Sequence, residues 1–261
     1  MPAFTEEVID VGGVGVHTLK GGSGDPLLLL HGAGGNTGWL RYVDALAERY
    51  TVYYPSHPGY GKSPRPEWLE SIPDMAAFYT WYLDTLGLER VRAIGFSMGG
   101  WIAAELVATC SNAVGKLMLV GAAGVKPREG EIADIFIISP AQVLELQFHD
   151  TSQVADYDAI YGRELSPEEQ LTADLNREMA VRLTWKPYMH DPRLAGGLLK
   201  RVGVPTRMVW GRQDRIVPVE CCSIYQESIP GSELVVIENC GHSPQVEKPD
   251  EFIQAALEFL A

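Results

Sequence analysis

Short apolar or β-branched runs recur along the chain at Leu27–Leu30, Thr51–Tyr54, Val91–Phe96, Lys116–Val120, Thr206–Trp210 and Glu233–Ile237, most of them ending in glycine, proline or histidine. Runs of this length predict strands buried on both faces. Ahead of them, Val8–Val11 and Gly15–Leu19 flank a Gly-rich turn, the pattern of an antiparallel hairpin at a sheet edge. Between the runs, apolar residues recur three and four apart over Asp74–Leu88, Met98–Cys110, Glu220–Ser228 and Pro249–Leu260. These segments predict helices, the first with Asp74 as its N-cap and Gly87 just past its end. Alternation of this kind predicts an α/β fold, a mostly parallel central sheet flanked by helices.

From Val125 to Leu199 the alternation stops, and only helical patterns appear, over Ile132–Phe148, Ser166–Thr184 and Asp191–Val202. Ordinary connections run to about 2–6 residues. The stretch therefore reads as a helical cap inserted after the sixth strand. Residues 125–199 form that cap, and 1–124 with 200–261 form a single core domain, within reach of a chain of 261 residues.

Charge and cysteine usage narrow the function. With 21 basic against 34 acidic residues the formal net charge is −13, which repels phosphate backbones and anionic membrane surfaces and argues against nucleic acid as a partner. The start of the chain lacks a basic region followed by an apolar stretch, and the longest apolar runs are too short to span a bilayer. A soluble, cytoplasmic protein without a membrane partner is expected, as a monomer or homodimer. Cys110, Cys221, Cys222 and Cys240 are too few and irregular for a disulfide scaffold. Cys240 and His242 lie two apart, but no C-x-x-C pair accompanies them, so neither metal nor cofactor is expected.

Gly95-Phe96-Ser97-Met98-Gly99 places one serine between a predicted strand and a predicted helix. A nucleophile on so sharp a turn needs neighbours almost without side chains two before and two after it, which Gly95 and Gly99 supply. The bland reading is a Gly-rich turn that happens to hold a serine. A serine hydroxyl is a weak nucleophile without a base and an orienting acid, and both follow in the order serine, acid, histidine. Asp214 lies just past the strand ending at Trp210, and His242 follows the strand ending at Ile237. His31, His57, His149 and His190 are weaker candidates for the base, and Glu105 and Glu247 for the acid, because none stands in that setting. His31-Gly32-Ala33-Gly34-Gly35 follows the first buried strand and can bend N–H groups towards a developing oxyanion. The donors are assigned to Met98 and Ala33, with Gly34 as the neighbour able to replace Ala33. His31 braces the loop.

With HGAGG, GFSMGG, GRQD and CGHS in this order, the sequence resembles the α/β-hydrolase superfamily in its capped serine-hydrolase branch. Members that are dehalogenases or epoxide hydrolases attack with an aspartate where Ser97 stands here. The resemblance implies a Ser97–His242–Asp214 triad and a serine hydrolase of the carboxylesterase kind, cleaving a small, largely apolar ester or lactone through an acyl-enzyme. The alternative it implies is a hydrolase of carbon–carbon bonds in ring-fission (meta-cleavage) diketones. Those enzymes carry an HGxGPG-type loop and a tryptophan after the catalytic histidine, whereas this chain has HGAGGN and Ser243. The SMGG elbow is shared with haloperoxidase-like members, and a small-molecule receptor that keeps the triad ranks behind both hydrolases. Substrate contacts are expected from Phe96, Trp39 and Trp101, and from Ile135, Phe136, Ile138, Phe148, Trp185, Tyr188 and Met189 in the cap. Arg163, Arg177 and Arg182 read as solvated cap faces, although C–C hydrolases do use a cap-side arginine.

Overall fold

Eight strands form one sheet in the computed structural model, which describes residues 4–110, 112–155 and 157–261. β1 (Phe4–Val11) and β2 (Val14–Gly22) are the antiparallel hairpin, and β2 pairs antiparallel with β4 (Tyr50–Pro55). From there β3 (Asp25–Leu30), β5 (Val91–Phe96), β6 (Val114–Val120), β7 (Thr206–Gly211) and β8 (Glu233–Ile237) run parallel. The order across the sheet is β1-β2-β4-β3-β5-β6-β7-β8. Strand order reverses around β3, and the carboxyl ends of strands at such a point form a crevice suited to a ligand.

The period of two along each strand divides the core. Leu28, Leu30, Leu117, Leu119, Met208 and Trp210 enter one apolar cluster, and Leu27, Leu29, Met118, Val120 and Val209 enter the other. The first packs under α2 (Ile72–Leu86), α3 (Met98–Thr109) and α8 (Glu220–Ser228); the second packs under α1 (Arg41–Ala47) and α10 (Pro249–Leu260). Every residue of α3 from Met98 to Ala108 is buried, as expected of a helix that is apolar all round.

Between β6 and β7 the chain is helical, with α4 (Pro140–Gln147), α5 (Tyr157–Ile160), α6 (Pro167–Thr184) and α7 (Pro192–Gly196), and α9 (Pro244–Glu247) follows β8. Three helix predictions are corrected. α2 begins at Ile72, because Ser71 is its N-cap and Asp74 donates its N–H to the Ser71 hydroxyl. The apolar run 132–138 is not helical: the Ser139–Gln142 capping box starts α4 only at Pro140. The segment from Asp191 breaks at Gly197 into α7 and a 3₁₀ turn, Leu198–Arg201. Among the described residues no helix is long and apolar enough to cross a membrane.

Candidate active site

Ser97 stands alone between β5 and α3 with φ 52° and ψ −117°, a conformation costly for a residue with a side chain. Its surroundings determine it. The Ser97 N–H donates to Val120 O at 2.8 Å, and its carbonyl accepts from Gly100 at 2.9 Å and Ala123 at 3.1 Å. A Cβ on Gly95 would lie 2.6 Å from Gly100 Cα, and one on Gly99 would run into the carbonyls of Leu30 and His31. The glycines thus let α3 pass directly over the ends of β3 and β5.

The sheet register brings the remaining pieces to this end. Leu30 pairs with Gly95 and Phe96 with Val120, so Gly32 lies on one side of Ser97 and Gly121 on the other. A Cβ on Gly32 would be 3.2 Å from Ser97 Cβ, and one on Gly121 would be 3.1 Å from His242 Nδ1. His242 Nδ1 lies 2.8 Å from Asp214 Oδ2, and the other carboxylate oxygen accepts from the Ile216 and Val217 N–H groups, both at 2.9 Å. A carboxylate acceptor assigns the proton to Nδ1 and leaves the Nε2 lone pair for chemistry. The Asp214 side chain is fully buried and that of His242 is mostly so, at 9% exposure.

After β3 the HGAGG loop closes a turn, with Gly35 N–H donating to Gly32 O at 3.1 Å. Among the described residues the Met98, Ala33 and Gly34 N–H groups have no acceptor. Beneath the loop His31 and His57 exchange hydrogen bonds: His57 N–H donates to His31 Nε2 at 3.0 Å, and His57 Nε2 donates to His31 O at 2.9 Å. His31 Nδ1 donates to Gly32 O at 2.8 Å, and the Tyr79 hydroxyl donates to His57 Nδ1. Burial pushes His31 down to about 4 and His57 well below the ordinary histidine range. Both are neutral braces rather than bases.

The predicted substrate contacts scatter. Trp39 is spent at the β1–β2 edge, stacked on Phe4 at 4.8 Å with its indole N–H on Asp44, and Trp185 is 52% exposed. Phe96 packs with Tyr42 and Phe252 in the core under α1 and α10, and Trp101 is buried against the backbone of Gly124. Phe148 is buried with Tyr157 and Tyr161, and Met189 is buried as well. Tyr188 donates its hydroxyl to Ala133 O, and Ile138 lends its carbonyl to Arg177. Arg163 pairs with Glu169, Arg182 with Glu70 and Glu178, and Arg177 with the Phe136 and Ile138 carbonyls. Cys221, Cys222 and Cys240 are buried free thiols, and burial pushes Cys221 up to about 12. No three metal-ligating side chains cluster among the described residues.

Sequence reasoning missed the residues that tie the helical segment to the site. Gln147 O accepts from the His242 N–H at 2.7 Å, and the Arg215 guanidinium donates to Phe148 O at 2.6 Å. Buried Glu247 accepts from Gly241 and Asp150, and Asn176 reaches Gly34 and Gly61. Each bridges segments far apart in sequence and carries no local motif.

The sequence profile of the alpha/beta hydrolase family matches residues 27–255. A 2-hydroxy-6-oxononadienedioate/2-hydroxy-6-oxononatrienedioate hydrolase of Burkholderia vietnamiensis is 32% identical, over 94% of this chain and 90% of that protein. Among solved structures, a membrane phospholipase A described as a bacterial virulence factor is similar with TM-score 0.81 and 26% identity, covering 98% of this chain and 86% of the other. The 2-hydroxy-6-oxo-6-phenylhexa-2,4-dienoate hydrolase of Rhodococcus sp. strain RHA1 shares the fold, with TM-score 0.80, 22% identity and 99% of each chain covered.

Proposed function

The chain belongs to the alpha/beta hydrolase family, and from that premise we propose that it is a serine hydrolase in which Ser97 attacks a carbonyl carbon while His242 takes its proton. The observation that carries this reading is the partly buried 2.8 Å Asp214–His242 hydrogen bond at the end of the sheet where Ser97 sits on its strained turn. Asp214 fixes the imidazole tautomer and stabilises the imidazolium, and the Met98 and Ala33 N–H groups receive the oxyanion, with Gly34 beside them. His242 then gives its proton to the leaving group and activates the water that releases the acyl-enzyme. Residues 125–199 act as a cap on the core formed by 1–124 and 200–261.

For the bond broken, similarity over nearly the full chain to a hydrolase of 2-hydroxy-6-oxo dienedioates favours C–C cleavage of a ring-fission ketone. One water is consumed: the carbon–carbon bond next to the ketone breaks, the acyl part leaves as a carboxylic acid, and the departing carbon takes a proton. Ester hydrolysis is the second reading. It is favoured by Arg163, Arg177 and Arg182, all engaged with protein groups rather than free to take a substrate carboxylate, and by Ser243 after His242.

The deciding experiment sets a 2-hydroxy-6-oxo-dienoate against p-nitrophenyl esters from acetate to decanoate, wild type beside Ser97→Ala. Dienoate turnover outrunning every ester establishes C–C hydrolysis, and the reverse establishes an esterase. Turnover that survives Ser97→Ala refutes the nucleophile.

A further inference from the structure

We propose that Asn176, on α6, is a positioning residue that aims the Ala33 donor of the oxyanion hole and makes that hole depend on the seating of the helical segment; this rests on the serine-hydrolase reading above. Asn176 lies deep in α6, 9% exposed, on the face it shares with Met179, Ala180 and Leu183. That spacing of three, four and seven residues is one side of a helix. Met179 seats the same face on a second loop: a Cβ on Gly59 would meet its sulfur at 2.7 Å.

The Asn176 amide is used at both ends. Its Oδ1 accepts from Gly61 N–H at 2.9 Å, and its Nδ2 donates to Gly34 O at 3.3 Å. The Gly61 bond fixes which end of the amide faces the turn, since an N–H can only meet the oxygen. The approach is close enough that a Cβ on Gly35, which has φ +101°, would stand 2.5 Å from Nδ2.

Two trans peptides carry the constraint to Ala33. In a trans peptide the N–H and C=O point in opposite directions. The peptide joining Gly34 to Gly35 is held at its carbonyl by Asn176 and at its N–H by Gly32 O, 3.1 Å away. Gly32 O belongs to the peptide that carries the Ala33 N–H, and it also accepts from His31 Nδ1 at 2.8 Å. Pinning Gly34 O therefore closes the turn that sets the direction of Ala33 N–H. Without Asn176, the peptide between Gly34 and Gly35 loses the contact at its carbonyl and can turn, because glycine reaches both signs of φ readily and Gly34 itself is exposed. A helix that lifts off the site takes the Gly34 contact with it and loosens the hole.

The test compares Asn176→Ala with wild type on p-nitrophenyl butyrate and on the transition-state analogue 1,1,1-trifluoro-2-heptanone. Deleting an oxyanion donor outright costs about 10²–10³ in kcat, and misaiming one is expected to cost roughly 10- to 100-fold, with KM changed less than about twofold. The inhibition constant of the ketone should rise by the same factor as kcat falls. Leu260→Ala, in α10 within the other apolar cluster, is the control for mere loss of stability, expected to lower Tm while leaving kcat and ketone affinity in place. Should Asn176→Ala fail to fold, Asn176→Asp replaces it, since its carboxylate still accepts from Gly61 but cannot donate to Gly34. An Asn176 variant that loses Tm as Leu260→Ala does, but keeps kcat and ketone affinity, overturns the proposal. Turnover retained in Ser97→Ala overturns the serine-hydrolase reading itself, a result read independently of Asn176.

Discussion

Gln147, the last residue of α4, accepts the backbone N–H of His242 through its carbonyl at 2.7 Å. The side chains extend the tie, with Gln147 Nε2 donating to Ser243 Oγ at 3.0 Å. The approach is close at Gly241, where a Cβ would stand 2.5 Å from Gln147 O. The histidine loop is therefore shaped from two sides, by the core strand that precedes it and by the helical segment packed over it.

Glu247 closes the same junction. Its carboxylate, 2% exposed, accepts from Gly241 N–H at 2.6 Å and Asp150 N–H at 2.8 Å. Glu247→Ala leaves the buried Gly241 N–H without a partner, at about 1–3 kcal/mol, while the Asp150 N–H, on an exposed residue, can turn to water. We predict a loss of roughly 2 kcal/mol in urea unfolding together with a fall in kcat. Stability within about 0.5 kcal/mol of wild type would show that water replaces the carboxylate at no cost.

The His31–His57 pair makes stability depend on pH. Burial lowers His31 from 6.5 to about 4 and also lowers His57, the nearby His31 adding to it, so the unfolded chain binds protons that the folded chain refuses. The stability from the neutral pair is complete above about pH 6.5 and is lost as pH falls towards 4, about 3 kcal/mol for His31 alone. The urea midpoint should fall measurably between pH 7 and 5, a window largely above the titration of carboxylates. A flat midpoint across that window would contradict the burial of these rings as neutral groups.

The strands were legible because a strand buried on both faces is a continuous apolar run, and β8 and α10 begin and end where the pattern places them. Helix α1 escaped notice because it is seven residues long and Leu40 offers no capping side chain. The three residues proposed as a triad, Ser97, Asp214 and His242, each follow a strand end within a local motif, which is what makes such candidates readable from sequence. The packing of Trp39 is not legible in the same way: its place after the HGAGG loop suggests the site, but Phe4, distant in sequence, provides the surface on which it stacks. Asn176 had no local signal, since its two partners, Gly34 and Gly61, come from different loops of the core.

The arginines bear on the substrate. Arg163 is bound to Glu169, and Arg182 to Glu70 at 2.9 Å and Glu178 at 3.3 Å, all partly exposed pairs of small energetic weight. Arg163→Ala and Arg182→Ala should each leave the urea midpoint close to wild type and kcat/KM on both dienoate and ester within about twofold. A tenfold or greater loss on the dienoate alone would mean that the arginine leaves its glutamate to hold a substrate carboxylate.

Asp214→Asn separates orientation from charge. Asparagine fills the same volume, and its oxygen can still accept from Ile216 and Val217, whose N–H groups lie 2.9 Å from Oδ1. That choice turns its NH₂ towards His242 Nδ1, where the acceptor Oδ2 now lies at 2.8 Å. An NH₂ cannot accept, so the imidazole must present a lone pair at Nδ1 and carry its proton at Nε2, the nitrogen required as base. Fold and Tm should be nearly unchanged while kcat falls by about 10⁴, the scale known for such tautomer inversion in serine triads. Steady-state kinetics beside thermal unfolding checks both halves of the prediction. A loss smaller than tenfold would show that another acceptor orients His242, and that the bond between the two side chains serves packing rather than proton transfer.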